Sequence, residues 1–166
     1  RKRGEFKDTA LWRGKVLTDA RGKAHVVFKL PDNLTTWQIE AVGITKDTKV
    51  GTAYREIVAR KDLMVVPLKP RFVIPGDTFL IGAKIFNQTN TKQRLDLGVM
   101  SNTLTFTGDQ KMTLSIAPKG VEIIYFAARA PATIRDGTHQ FVVSATNNVY
   151  ADTVEQSIAI KRNNTY

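Results

Sequence analysis

Apolar and polar side chains alternate along most of this chain in short segments bounded by turn residues. In an extended chain, successive side chains point to opposite faces, so a period of two predicts half-buried strands rather than helices. The clearest case follows Leu30-Pro31-Asp32-Asn33, a turn in which Pro31 fixes φ and Asp32 and Asn33 bond back to nearby backbone. Beyond it Trp37, Ile39, Ala41 and Gly43 fall on one side, and Gln38, Glu40, Val42 and Ile44 on the other. Upstream, residues 10–18 read as a strand interrupted at Arg13-Gly14. Asp19-Ala20-Arg21-Gly22 reads as a turn with Gly22 at positive φ, and Ala24, Val26, Phe28 and Leu30 share the next face. Lys46-Asp47-Thr48-Lys49 closes the Trp37 strand, and residues 50–58 form another. Residues 6–62 thus predict about four strands, with an apolar face of Val26, Phe28, Leu30, Trp37, Ile39 and Ala41, which is too little for two full sheets.

The pattern changes at Lys61-Asp62. Residues 63–68 are apolar, but Pro67 and Pro70 cannot donate to a ladder, which places this segment on an edge or in a crossing between domains. Pro75-Gly76-Asp77 is a turn, and Phe79, Ile81, Ala83 and Ile85 then alternate over a long strand. Further strands are marked by Leu95, Leu97 and Val99, by Leu104 and Phe106, and by Met112, Leu114 and Ile116. Pro118-Lys119-Gly120 reads as a hairpin turn into residues 121–130. Arg135-Asp136-Gly137 precedes Phe141, Val143 and Ala145, and Asn147-Asn148, a pair tolerant of positive φ, precedes Val154, Gln156, Ile158 and Ile160. About seven strands with turns every 8 to 12 residues match the ~100-residue immunoglobulin-like or fibronectin-like sandwich. The fold class is therefore all-β, without a convincing helix, heptads or a solenoid repeat. The expected domains are 1–62 and 63–166, joined by an apolar, Pro-stiffened segment rather than a Gly/Ser linker.

Composition adds boundaries to this picture. The 166 residues are 42% apolar and 24% charged, which suits a globular protein with a real core. No apolar run approaches the roughly 18 residues of a membrane helix, and Arg1-Lys2-Arg3-Gly4 lacks a signal-peptide core. A first residue other than Met leads us to expect a piece of a larger protein, with any targeting signal elsewhere. The net charge of +10 invites a nucleic-acid partner, yet the charges scatter over polar strand positions. Arg1-Lys2-Arg3 is the single basic run and is expected to be a solvated tail, so no nucleic acid is expected.

Candidate chemistry is sparse. With no cysteine, disulfides, thiolate metal sites and thiol nucleophiles are excluded. His25 and His139 have no metal-ligand spacing and read as solvent-facing strand residues. Ser101, Ser115, Ser144 and Ser157 lack a Gly-x-Ser-x-Gly context, and Gly76, Gly108, Gly120 and Gly137 are single turn glycines rather than a phosphate loop. No spacing suggests a pair of catalytic carboxylates. The expectation is a chain that is not an enzyme and takes no cofactor or metal. Asn33-Leu34-Thr35, Asn87-Gln88-Thr89 and Asn163-Asn164-Thr165 match the short glycosylation pattern, which has a meaning only in a secreted eukaryotic protein.

Several boxes stand in order along the chain. Phe6-x-Asp8-Thr9-x-x-Trp12 comes first, then the Thr18-Asp19-Ala20-Arg21-Gly22-Lys23 turn, then Leu30-Pro31-Asp32-Asn33-x-Thr35-x-Trp37, then Pro70-Arg71-Phe72-x-x-x-Gly76-Asp77. This ordered set resembles the α2-macroglobulin family, with the boxes over residues 6–87 and strand pattern alone beyond. The complement thioester proteins share a looser version. The resemblance implies consecutive macroglobulin-like sandwiches, one of them interrupted by a bait segment that a protease cuts before the molecule collapses around it. The Phe6 box then implies that residue 1 lies just after the bait. Residues 1–62 would be the second half of the interrupted sandwich, and 63–166 the next complete one.

No Cys-Gly-x-Gln thioester motif occurs here, so the resemblance implies a scaffold joining the bait to later domains of a protease-trapping inhibitor, and the boxed residues have structural roles. The lack of cysteine resembles bacterial envelope members, at the periplasm, at the cell surface or secreted. The implied partners are the remaining domains of the parent, the proteases trapped by the whole molecule and, for the isolated piece, a second copy of itself. The rival is a cell-surface adhesion or spacer module with immunoglobulin-like domains and no protease partner. A carbohydrate or nucleic-acid binder would need an exposed aromatic cluster, whereas Trp12, Trp37, Phe72 and Phe79 are expected in core or interdomain packing.

Overall fold

The computed structural model describes residues 2–162 and divides the chain into two units, residues 5–60 and the remainder. The larger unit is a two-layer sandwich. One layer carries β4 (Leu63–Leu68), β6 (Thr78–Asn87), β10 (Val121–Arg129) and β8 (Thr105–Phe106) in that spatial order. The other runs β1 (Lys2–Arg3), β12 (Ala151–Ile160), β11 (Gly137–Thr146), β7 (Gln93–Met100) and β9 (Lys111–Ile116), and β5 (Phe72–Val73) also pairs with β12. Pairings are antiparallel except those of β1 and β5, which run parallel to β12 and cover its open edge near its start and its end. Covering an edge removes unpaired donors and acceptors that would otherwise template association.

The alternation read from the sequence becomes the core. Ile81, Ala83 and Ile85 of β6, with Phe126 and Ala128 of β10, pack into one cluster with Leu95, Leu97 and Val99 of β7, Phe141 and Val143 of β11, and Val154 and Ile158 of β12. Each large side chain so buried contributes about 1.5–3 kcal/mol. The Pro-bearing segment is β4, which lies at the edge of its sheet, where Pro67 interrupts no second ladder.

Three expectations within or beside this unit give way. Lys2 and Arg3 are not a solvated tail but form β1, with Arg3 buried. The turn at Pro118-Lys119-Gly120 does not close a hairpin, because β9 and β10 belong to different sheets, and the chain crosses between layers. Lys119 takes φ 57° there, and Asn87 ties the crossing down. Its amide nitrogen donates to the carbonyls of Thr91 and Ala117, both at 2.8 Å, and its oxygen accepts the Thr89 hydroxyl at 2.6 Å. Asn87 is fully buried, so the glycosylation match there is a core strut; Asn163 lies outside the described residues. The Asn147-Asn148 turn uses no positive φ; the Asn147 side chain accepts the Val149 and Tyr150 amides at 2.9 and 2.7 Å.

The smaller unit contains a single hairpin, β2 (Thr36–Ile44) with β3 (Val50–Val58), paired from Thr36 opposite Val58 to Ile44 opposite Val50. The predicted turns at 19–22 and 46–49 form: Gly22 has φ 75° and Asp19 accepts the Arg21 and Lys23 amides at 2.9 and 2.8 Å, while the Thr48 amide donates to the Thr45 carbonyl at 3.0 Å. The strands expected at 10–18 and 24–30 do not form. Alternation marks a face that burial could stabilise, but a strand also needs a ladder partner, and these segments have none among the described residues. Leu17 and Val27 stand 78% and 89% exposed.

Candidate functional site: the sequence boxes and a buried carboxylate

The first two boxes are stitched together by backbone. The Glu5 amide donates to the Asp32 carboxylate at 3.1 Å, the Asp32 amide to the Glu5 carbonyl at 2.7 Å, and the Lys7 amide to the Asn33 side chain at 3.0 Å. Pro31 is buried beside this junction and Leu30 half-buried. An ion pair with Lys7 at 2.7 Å, with its hydrogen bond, lowers the Glu5 carboxyl below its ordinary range. Asp8 and Thr9 are exposed, and Trp12 is 86% exposed rather than packed as expected. Trp37 is buried, and its indole N–H finds no acceptor among the described residues. The Thr35 carbonyl extends the β2–β3 ladder by accepting the Ala59 amide at 2.9 Å.

The third box belongs to the larger unit and builds a turn. The Asp77 carboxylate accepts the Ile74 amide at 3.1 Å, and the Gly76 amide donates to the Ala130 carbonyl at 2.8 Å with φ +94° at Gly76, a conformation that needs glycine. Pro70 is half-buried and Arg71 exposed. Phe72 pairs with β12 through its backbone while its ring stays largely exposed, which corrects its assignment to packing; Phe79 does pack against the core. Within each unit, the box side chains with printed bonds, Asp32 and Asn33 in one and Asp77 in the other, accept backbone amides.

The most concentrated chemistry lies elsewhere, at Asp152. This carboxylate, fully shielded from solvent, takes Arg3 in a two-pronged grip, Nε to Oδ1 at 2.9 Å and Nη2 to Oδ2 at 2.6 Å. Lys61 Nζ donates to Oδ1 at 3.0 Å and the Val65 amide to Oδ2 at 2.8 Å. Arg3 Nη2 also reaches the Val65 carbonyl at 2.8 Å, and Lys61 the Ala151 carbonyl at 3.0 Å. Burial by itself pushes the Asp152 carboxyl up, but the bonds from Arg3, Val65 and Lys61 outweigh it and hold the group below the usual carboxylate range. Arg3 and Lys61 flank residues 5–60 in sequence, so the chain departs from the larger unit and returns to it through one carboxylate. The available signal was register: Asp152 shares its phase with Val154, Ile158 and Ile160, a charge in an apolar face.

The fold and the boxes together define a module of β-sandwich type whose boxes lie at turns and strand ends. Residues 9–99 match the alpha-2-macroglobulin family model. An alpha-2-macroglobulin homolog from Nostoc sp. is 34% identical over 117 residues, covering 70% of this chain and 6% of that protein. An alpha-2-macroglobulin from Pasteurella multocida is 28% identical over 160 residues, covering 95% of this chain and 8% of that protein. The fold matches trypsin-activated alpha-2-macroglobulin from Escherichia coli with a TM-score of 0.75 at 19% identity, covering 89% of this chain and 10% of that one. The chain belongs to the alpha-2-macroglobulin family. It spans a tenth or less of the length of these relatives.

Proposed function

We propose that this chain is a non-catalytic scaffold segment of a bacterial-type protease-trapping protein, carrying mechanical continuity from a cleavable segment before residue 1 to later domains. The observation that carries the reading is the family match over residues 9–99, which runs through both units of a chain that amounts to 6% and 8% of its relatives. Two solved relatives are an Escherichia coli alpha-2-macroglobulin activated by trypsin and one activated by porcine elastase. Proteases of differing specificity are the corresponding partners here, met at the periplasm, the cell surface or outside the cell.

In this reading residues 5–60, most of the 1–62 span expected from the sequence, are the second half of an interrupted sandwich, while Lys2 and Arg3 pair into the larger unit. The β2–β3 hairpin and the exposed apolar positions around it support this, since one hairpin cannot enclose a core by itself. Residues 63–166 are the next complete sandwich, and the Phe6, Leu30 and Pro70 boxes hold the turns that join their strands.

The test uses the parent protein. Incubated with trypsin-type and elastase-type proteases, it should suppress digestion of a large protein substrate while leaving cleavage of a small chromogenic peptide intact. The 166-residue chain alone should do neither. A parent that leaves digestion of the large substrate unchanged would overturn the reading in favour of an adhesion or spacer module.

A further inference from the structure

Arginine-directed proteases recognise a guanidinium through a carboxylate at the base of a pocket. The larger unit presents the same chemistry to its own Arg3: two parallel N–H···O bonds to Asp152, a third bond to the Val65 carbonyl, and a side chain only 8% exposed. The backbone is engaged as well, because Lys2 and Arg3 pair in parallel with Thr153 and Val154 of β12. A protease must instead draw its substrate out as a free extended strand. We propose that the Arg3–Asp152 clasp conceals the Arg3–Gly4 bond from arginine-directed proteases, so that this basic sequence is not a cleavage site while the sandwich is folded.

The bond at stake is an ordinary amide, whose hydrolysis would place hydroxyl from water on the Arg3 carbonyl and a proton on the Gly4 nitrogen. For that to occur Arg3 must leave Asp152, and the carboxylate would then keep Lys61 and the Val65 amide as partners. The clasp can therefore open without leaving Asp152 unpaired, which makes it a local opening rather than unfolding of the sandwich. This inference concerns the larger unit alone and stands apart from the trapping reading.

An arginine-specific endoprotease applied to the 166-residue chain supplies the test, with products identified by mass. Arg13 and Arg21 are exposed outside strands and serve as open sites; Arg94 and Arg129, in β7 and β10, report unfolding. In the unaltered chain, cleavage after Arg3 should be at least about 100-fold slower than after Arg13, because it waits on opening. In Asp152→Asn it should accelerate at least about tenfold while Arg94 and Arg129 stay uncut. Equal rates after Arg3 and Arg13 in the unaltered chain, or no acceleration in a folded variant, would overturn the proposal. If Arg94 and Arg129 are also cut in the variant, exchange of the Arg3 Nε proton in the unaltered chain decides. Exchange at least about tenfold slower than in Arg13 supports the clasp, and equal exchange refutes it.

Discussion

Among the described residues Arg3, Asn87 and Asp152 are the buried polar or charged ones, all in the larger unit, and each follows the rule that buried polarity must be partnered. Truncating Asp152 to Ala removes the carboxylate from Arg3, Lys61 and the Val65 amide at once, and should cost about 3–5 kcal/mol by chemical denaturation. Arg3→Leu should cost less, because Lys61 and Val65 still satisfy the carboxylate. Lys61→Met, at a side chain one-third exposed, should cost about 0–1 kcal/mol. The sign of the pH dependence follows from a folded carboxyl held below its unfolded value of about 3.9: its contribution is complete above that value and is lost as pH falls through the lower folded one. The stability gap between the unaltered chain and Asp152→Asn should therefore narrow on acidification below pH ~4, and a gap that widened would contradict the assignment. Asn87→Ala removes one donor from each of the Thr91 and Ala117 carbonyls and the acceptor from the Thr89 amide, and should cost about 1–3 kcal/mol.

At the level of elements, the two units should respond oppositely to the same kind of substitution. Phe141→Ala in the sandwich core should cost about 3–5 kcal/mol, whereas Ile44→Ala, at an exposed end of the hairpin, should stay within about 0.5 kcal/mol. Gly120→Ala should also destabilise, by about 1–3 kcal/mol, because an added Cβ would lie 2.8 Å from the Ala117 carbonyl at the crossing between layers. This asymmetry explains what could be read beforehand. Strands β6, β7, β10, β11 and β12 were legible because each buries one face, and burial writes itself into the sequence as alternation. Alternation does not name a partner, so Ile116 and Val121 read as neighbours across a hairpin although their strands lie in different sheets. For the same reason Val26 and Phe28 read as a strand that the described chain does not pair. β1 was illegible because two residues hold no period, and its position rests on Arg3 finding a carboxylate 149 residues away.

At the scale of the whole molecule, the larger unit buries a continuous core of its own, whereas in the hairpin unit Trp37 is buried but most other large apolar side chains are exposed. Val27, Leu17 and Ile44 left in solvent forgo roughly 25 cal/mol for each Å² of apolar surface that a partner layer would cover. Two occupants can supply that layer, the parent chain's preceding segment or a second copy of this chain, and the first should displace the second. The central proposal is that residues 5–60 are half of a sandwich completed from outside these residues. Its most direct test is sedimentation velocity of the 166-residue chain over a range of concentrations, with and without the parent's preceding segment supplied as a separate polypeptide. The account predicts a concentration-dependent dimer that the supplied segment converts to a one-to-one complex; a monomer at every concentration that ignores the segment would contradict it.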